Sequence, residues 1–357
     1  MSVESEIHAK LDPGVEEVVR GKRIALWKEM LESIGYSDLG VVDEFCNGAT
    51  LTGPTCPTGL WPKQFTPATL TEEELHHQAK FQRHHLTYDQ VVFFGEEIAL
   101  FVWQQTLDEV AKGELEGPLA LEDIPLDVLL SKRFGVKKGG KVRCADDFSA
   151  SGVNATAQPL ESPKPHTLDV VVGMISTIMA CNTSKEKWNI RSFDLKSAYW
   201  QCAEHPHPRK FAVIVVGDPS TRTLKAFRLK ALPFGSVKSV HSFLRVVRSI
   251  WTVLTTIFLT ITTNYFDDFI SLATEAEAQS VDFTVKAVLG MLGWKFAEDG
   301  PKAPPFSSKV TALGVEIDVG RLHQGFTSIG NTEKRTTELS ETIEGIVVVW
   351  PNERRCD

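Results

Sequence analysis

The chain has 357 residues, 42% apolar and 24% charged, with a formal net charge of −8. That balance describes an ordinary globular protein with room for one large or two modest cores. The six cysteines (46, 56, 144, 181, 202 and 356) form no C-x-x-C pair, which argues against a structural zinc site and a disulfide framework and for a reducing, intracellular compartment. The most apolar run, residues 250–261, is rich in Thr and falls short of the ~20 residues a bilayer span needs. Residues 1–10 are polar and acidic, so neither a signal peptide nor a membrane partner is expected.

The charge is unevenly spread. Residues 1–125 carry 9 Lys+Arg and 22 Asp+Glu, whereas residues 126–357 carry 29 and 24. Basic residues cluster as Lys132, Arg133, Lys137, Lys138, Lys141 and Arg143, and again as Arg222, Lys225, Arg228, Lys230, Lys238, Arg245 and Arg248. Local positive surface, not whole-chain charge, controls phosphate binding, so both clusters are candidate nucleic-acid faces.

In chain order, the first third reads as helical. Residues 15–34 have apolar positions at helical spacing up to Gly35, residues 40–69 read as loop, and Thr71-Glu72-Glu73-Glu74 is a capping box opening a helix to about His85. His76, His77, His84 and His85 lie on that helix without a cysteine nearby and read as solvated. A further helix is expected over 97–112, then a Gly- and Pro-rich boundary over 113–125. Beyond 130 the pattern alternates. A hairpin turns at Gly139-Gly140, a helix covers 167–180, and a strand covers 188–194. Strands follow at 211–216 and 224–229, then a helix from 236 to about 253. Two strands, 258–263 and 269–272, flank residues 264–268, and helices are expected at 276–290 and 332–345. The hairpins predict an antiparallel sheet and an α+β class.

Two adjacent carboxylates, Asp267 and Asp268, occupy the tip of that apolar hairpin in Asn264-Tyr265-Phe266-Asp267-Asp268-Phe269. A third acid, Asp194, ends the strand Trp188–Asp194. Pairing of the two segments would gather three like charges, a cluster stable chiefly when divalent cations fill it, and three such acids suit two Mg²⁺ ions in in-line phosphoryl transfer. Tyr199, five residues past Asp194, is placed to pack under a nucleotide sugar or to serve as a core aromatic. Leu232-Pro233-Phe234-Gly235-Ser236 is a fixed turn entering a helix, with a glycine that allows close backbone approach.

The ordered set Lys141-Val142-Arg143-Cys144-Ala145-Asp146-Asp147-Phe148, FDLKSAYW (193–200), LPFGSVKS (232–239), YFDD (265–268), LGWKFAEDGPK (292–302) and ALGVEID (312–318) resembles retroelement reverse transcriptases of the gypsy and DIRS types. The resemblance implies a right-hand polymerase with fingers and an antiparallel palm sheet over residues 118–320. An acidic, mostly helical region precedes it at 1–117, and an incomplete thumb or tail follows at 321–357.

The same resemblance implies RNA-directed DNA polymerase activity, with Mg²⁺ (or Mn²⁺) held by Asp194, Asp267, Asp268 and the carbonyl of Leu195. It implies dNTP contacts from Lys141, Arg143, Tyr199, Phe234, Gly235 and Lys302, and a role for Asp147 in the first motif. Leu313 and Gly314 match the start of the primer-gripping hairpin. The implied partners are a template–primer duplex, dNTPs and further polyprotein domains. Val240 and His241 stand where relatives carry Pro and a small residue. A helix over 332–345 and the apolar run 346–350 are less than a thumb needs, so a catalytically dead or truncated relic is the alternative. An RNA-dependent RNA polymerase is disfavoured because Tyr199 stands where that class carries a second acid.

Overall fold

The structure, a computed structural model, describes residues 2–92, 95–138, 141–183, 185–206 and 211–349. The helices are α1 (Val3–His8), α2 (Pro13–Val19), α3 (Ile24–Ser33), α4 (Gly40–Asn47), α5 (Glu72–His85), α6 (Tyr88–Val91), α7 (Glu96–Ala111), α8 (Leu168–Cys181), α9 (Val237–Thr256), α10 (Ala278–Met291) and α11 (Glu333–Val349). The strands are β1 (Gly53–Pro54), β2 (Leu115–Ala120), β3 (Leu130–Lys138), β4 (Lys141–Asp146), β5 (Ala157–Gln158), β6 (Trp188–Asp194) and β7 (Val213–Asp218). After them come β8 (Thr223–Leu229), β9 (Ile261–Tyr265), β10 (Asp268–Thr274), β11 (Lys309–Ala312), β12 (Val315–Asp318) and β13 (Ser328–Asn331). The class is α+β, and no helix among the described residues is long and apolar enough to cross a membrane.

The chain forms two compact units woven from alternating segments. The first takes Met1–Lys164, Leu195–Val253 and Val288–Lys295, and the second takes Pro165–Asp194, Leu254–Ala287 and Phe296–Asp357.

In the first unit a five-stranded sheet runs β2-β8-β7-β3-β4. It is mixed, since β3 and β7 pair in parallel, where the hairpins alone predict antiparallel pairing throughout. Residues 113–125, read from composition as a boundary, instead supply the edge strand β2. Its register shifts between Glu116 and Leu119, around Pro118, as a proline without a donor requires at an edge. Helix α7 covers this sheet through Ala99, Val102, Thr106 and Glu109, and Trp103 packs edge-on against Phe227 of β8 with ring centroids 5.9 Å apart. Helices α5, α6 and α7 therefore share cores with the sheet.

Charge explains much of this packing. Arg133 on β3 is 3% exposed, and its guanidinium meets Asp146 at 2.6 Å and also Glu109 of α7. Arg245 on α9 is 1% exposed, forked onto Asp38 at 2.8 and 2.7 Å and paired with Glu44 of α4. Lys230 meets Glu17 at 2.8 Å and Arg228 meets Glu116 at 3.1 Å. The acidic N-terminal third thus supplies counter-ions to basic residues far along the chain. Arg228, Lys230 and Arg245 of the second basic cluster, and Arg133 of the first, are engaged this way, and the buried Arg133 and Arg245 are not phosphate-binding surface. Lys238 is buried too, donating to Thr50 and to the carbonyls of Thr52 and Pro54.

Two helical readings change. Residues 15–34 break into α2 and α3 because Gly21 adopts φ 83, and the Gly21 carbonyl lies where a Cβ on Gly293 would stand. Residues 40–47 form α4, which buries Val41, Val42 and Phe45. The capping box at Thr71 forms as read, with the Thr71 hydroxyl accepting from Glu74 N–H and the Glu74 carboxylate accepting from Thr71 N–H. The Gly139-Gly140 turn lies outside the described residues.

The second unit has two three-stranded antiparallel sheets, β6-β10-β9 and β11-β12-β13. Helix α8 buries Val171, Ile175 and Ile178, at helical spacing, in a cluster with Ile190 of β6 and Ile270 and Leu272 of β10. Val310, Ala312 and Ile317 of the second sheet join the same cluster. Central strand β10 is buried on both faces from Phe269 to Thr274, which explains its near-continuous apolar sequence. Helix α11 continues through the backbone of the apolar run as far as Val349. The side chains of that run, and all of Trp350 onward, lie outside the described residues.

Candidate functional site

The second unit brings the three acids together. Strands β6 and β10 pair antiparallel with Asp194 directly opposite Asp268, then Ser192 opposite Ile270 and Ile190 opposite Leu272. Opposed residues share a face, with Cα atoms about 4.5–5.5 Å apart. The two carboxylates therefore form the terminal rung of the apolar face that packs into the α8 core. Asp267 sits one residue away, in the two-residue turn that joins Tyr265 to its partner Asp268.

That turn is under backbone strain. Phe266 adopts φ 51, the left-handed region that a short hairpin demands and that Gly or Asn ordinarily fills. Ser197, three residues after Asp194, has φ 48, and Leu313 has φ 53 beside Gly314 at φ 76. Leu313 and Gly314 are the two loop residues between paired Ala312 and Val315, so both central positions are left-handed, as in a type I′ hairpin. Each such residue costs on the order of 1–3 kcal/mol, and strain of this kind concentrates at functional sites. Phe266, Ser197 and Leu313 lie in the motifs that carry the resemblance, while Lys185, Arg222 and Leu259 adopt the same region outside them.

Electrostatics mark the same place. Burial and the charges of Asp267 and Asp194 push the Asp268 carboxyl up to about 6, against a weak hydrogen bond from Ser192 Oγ at 3.4 Å. Burial, with the charge of Asp194, also raises Asp267. Lys302 Nζ donates to both Asp194 oxygens, at 2.8 and 2.9 Å. Among the described residues, three carboxylates thus share one ammonium. Main-chain bonds brace the cluster, with Ala297 N–H on the Asp194 carbonyl at 2.8 Å and His166 N–H on the Asn264 carbonyl at 3.2 Å.

The donor set fits hard divalent cations. It is all oxygen, partly desolvated and short of positive charge, and burial with neighbouring like charge makes Asp267 and Asp268 weaker acids than usual. Among the described residues, no three His, Cys, Asp or Glu side chains close into a ready ligand cage, and the oxygens of Asp194 face Lys302 instead. Leu195 follows Asp194 and is 2% exposed as a whole residue; its side chain has no donor atom, so its carbonyl is all it could offer a cation.

The remaining candidates belong to the first unit. Tyr199 is 7% exposed in a short 3-10 turn, stacked on Phe243 with centroids 4.5 Å apart and tilted against Phe234 at 4.6 Å. Phe234 is itself 50% exposed, so the trio runs from core to surface. Gly235 has φ 94, and any Cβ there would run into the Asp146 carbonyl oxygen, which requires glycine twice over. The Gly235 carbonyl accepts from Asn154 Nδ2 at 2.9 Å. Lys141 and Arg143 lie two apart on β4, both exposed on one face, and with Lys137 form no ion pair with a described residue. Asp147 caps a turn, its Oδ1 accepting from Ala150 N–H at 2.8 Å.

Two contributors were not apparent from the sequence. Ser192 touches Asp268, and His166 tethers β9 through Thr263 Oγ1 at 2.8 Å. Ser192 could have been found from period-two spacing to Asp194, but nothing local marks His166.

Neither protein-family models nor curated proteins match this chain.

Proposed function

We propose that the chain is a template-directed nucleotidyltransferase of the reverse transcriptase kind, adding dNTPs to a primer 3′-hydroxyl against an RNA template. One observation carries the reading. Asp194 and Asp268 form a rung at the end of a buried antiparallel sheet, with Asp267 in the strained turn beside them and too few cations to balance the three. Asp194, Asp267, Asp268 and the Leu195 carbonyl would hold Mg²⁺ or Mn²⁺. When bound, the metal supplies activation of the attacking hydroxyl and charge compensation at the leaving pyrophosphate.

The chain's own residues do the positioning. Arg143 and Lys141 bind triphosphate oxygens by charge-assisted hydrogen bonds, and with Lys137 they attract nucleic-acid backbone without reading sequence. Lys302 neutralises charge near the reacting phosphates. Gly235 keeps its backbone turn free of a side chain, with exposed Phe234 presenting an apolar surface to a base. Tyr199, held rigidly by its two aromatic neighbours, sets the space allowed at the sugar.

The direct test is primer extension on poly(rA)/oligo(dT) with Mg²⁺ or Mn²⁺. Incorporation of dTTP by the wild type, absent in Asp194→Asn, is the expected result. No incorporation with either metal would overturn the reading. For Tyr199, replacement by Val should raise rNTP relative to dNTP incorporation by about tenfold or more, while Tyr199→Phe, which keeps the stack, should change the ratio little. An unchanged ratio in the Val variant would assign Tyr199 to core packing alone.

A further inference from the structure

We infer that Lys302 competes with the divalent cation for Asp194, so that cation binding releases the lysine and frees its ammonium for an anionic ligand. The inference rests on the proposed reading of Asp194, Asp267 and Asp268 as cation ligands, and it adds a coupling device to that site.

The geometry is specific. Lys302 Nζ engages both oxygens of Asp194, at 2.8 and 2.9 Å, so an ion that uses this carboxylate must displace at least one of those bonds. The two partners are unequally placed. The Asp194 side chain is 14% exposed, whereas that of Lys302 is 70% exposed. Release therefore returns an already solvated ammonium to water, at small cost, while Asp194 stays where the sheet fixes it.

The lysine is presented by a defined turn. Gly300 adopts φ 74, Ala303 N–H bonds the Gly300 carbonyl at 3.0 Å, and Pro301 precedes Lys302. The segment is anchored five residues earlier, where Ala297 N–H bonds the Asp194 main chain. Only the lysine side chain has to move. Among the described residues, no other ammonium or guanidinium is paired with Asp194, Asp267 or Asp268.

Linkage makes the effect reciprocal: whatever factor Lys302 takes from cation affinity, the cation takes from the Lys302–Asp194 bond. A polyphosphate that brings its own divalent ion satisfies both halves at once. The ion replaces the ammonium on Asp194, and the ammonium pairs with phosphate oxygen. Ion and polyphosphate should therefore bind cooperatively, with Lys302 as the connection.

The test is Mn²⁺ binding to the full chain, read by electron paramagnetic resonance of free Mn²⁺, in wild type, Lys302→Ala and Asp194→Asn. Lys302 is exposed, so its replacement leaves the fold intact. Lys302→Ala should bind Mn²⁺ about tenfold more tightly, or about 1.4 kcal/mol, and Asp194→Asn should lose that site. A second readout separates direct competition from the mere loss of a nearby charge. Acylation of Lys302 in the wild type, followed by mass spectrometry, should rise with Mn²⁺ at the same midpoint as binding. Equal Mn²⁺ affinity in wild type and Lys302→Ala, with loss only in Asp194→Asn, would overturn the competition and leave the cation site standing. Tighter binding in Lys302→Ala without any change in Lys302 acylation would also overturn it. Equal binding in all three proteins would overturn both the competition and the site.

Discussion

Asp268→Asn should reduce nucleotide incorporation by about three orders of magnitude, roughly 4 kcal/mol of barrier, and at the same time make the protein more stable at neutral pH. The two effects have one origin. Asp268 stands opposite Asp194 on a sheet face that continues with Ser192 opposite Ile270 and Ile190 opposite Leu272, so it is pressed against a like charge in a partly dry setting. Its carboxyl is pushed up to about 6. The folded protein therefore keeps a proton that the unfolded chain releases near pH 4. Stability contributed by this group is fully present below about pH 4, is lost as pH rises through about 6, and stays lost at neutral pH. A shift of about two pH units bounds the loss at about 3 kcal/mol. Asparagine keeps the shape without the charge, so the difference in thermal midpoint between variant and wild type should be near zero at pH 4 and reach several degrees at pH 7.5. A variant that is less stable at pH 7.5, or a difference that does not change with pH, would contradict the account.

Arg245→Ala should cost about 3–5 kcal/mol of folding stability, the range for stripping one partner from a buried ion pair. Arg245 is the largest fully buried side chain among the described residues, and it serves two acids, Asp38 through a two-bond fork and Glu44 through a third contact. Its removal leaves Asp38, 5% exposed, charged and without its cation, and opens a guanidinium-sized void beside α9. The double variant Arg245→Met with Asp38→Asn should recover a large part of the loss, since it removes the orphaned charge along with its partner. Urea unfolding of the three proteins checks this. A loss below about 1 kcal/mol for the single variant would mean that the N-terminal acids are incidental to the first unit.

Much of the local structure was legible because its signals are local. The Thr71 capping box, the alternation around β3 and β4, the apolar period of α8 and the Asp-Asp turn each depend on residues a few positions apart, and each formed with ends shifted by only a few residues. The misreadings share a different cause. Residues 113–125 carry Gly and Pro as a linker would, yet an edge strand accepts Pro118 at a bulge because nothing outside the sheet needs its missing donor. Residues 15–34 have one helical period, yet Gly21 turns the chain at φ 83, and its carbonyl packs so close to Gly293, far along the sequence, that no side chain fits there. The basic clusters were read as surface because charge counts carry no information on burial. Arg133 and Arg245 proved to be among the most enclosed side chains.

Determined by the sequence alone were the α+β class, the position of most strands and helices, and the uneven split of charge between an acidic first third and a more basic remainder. So was the placement of Asp194 at a strand end and of Asp267 and Asp268 at a hairpin tip. Only the tertiary structure decided that Asp194 opposes Asp268 rung for rung, that Lys302 and not a more distant cation meets Asp194, and that the N-terminal acids neutralise arginines inside the first unit. The reason is physical. Propensity, turn chemistry and periodicity act over a few residues along the chain. Register, desolvation and ion pairing act across space between segments more than 200 residues apart, and their energies exist only once burial has removed the water between them.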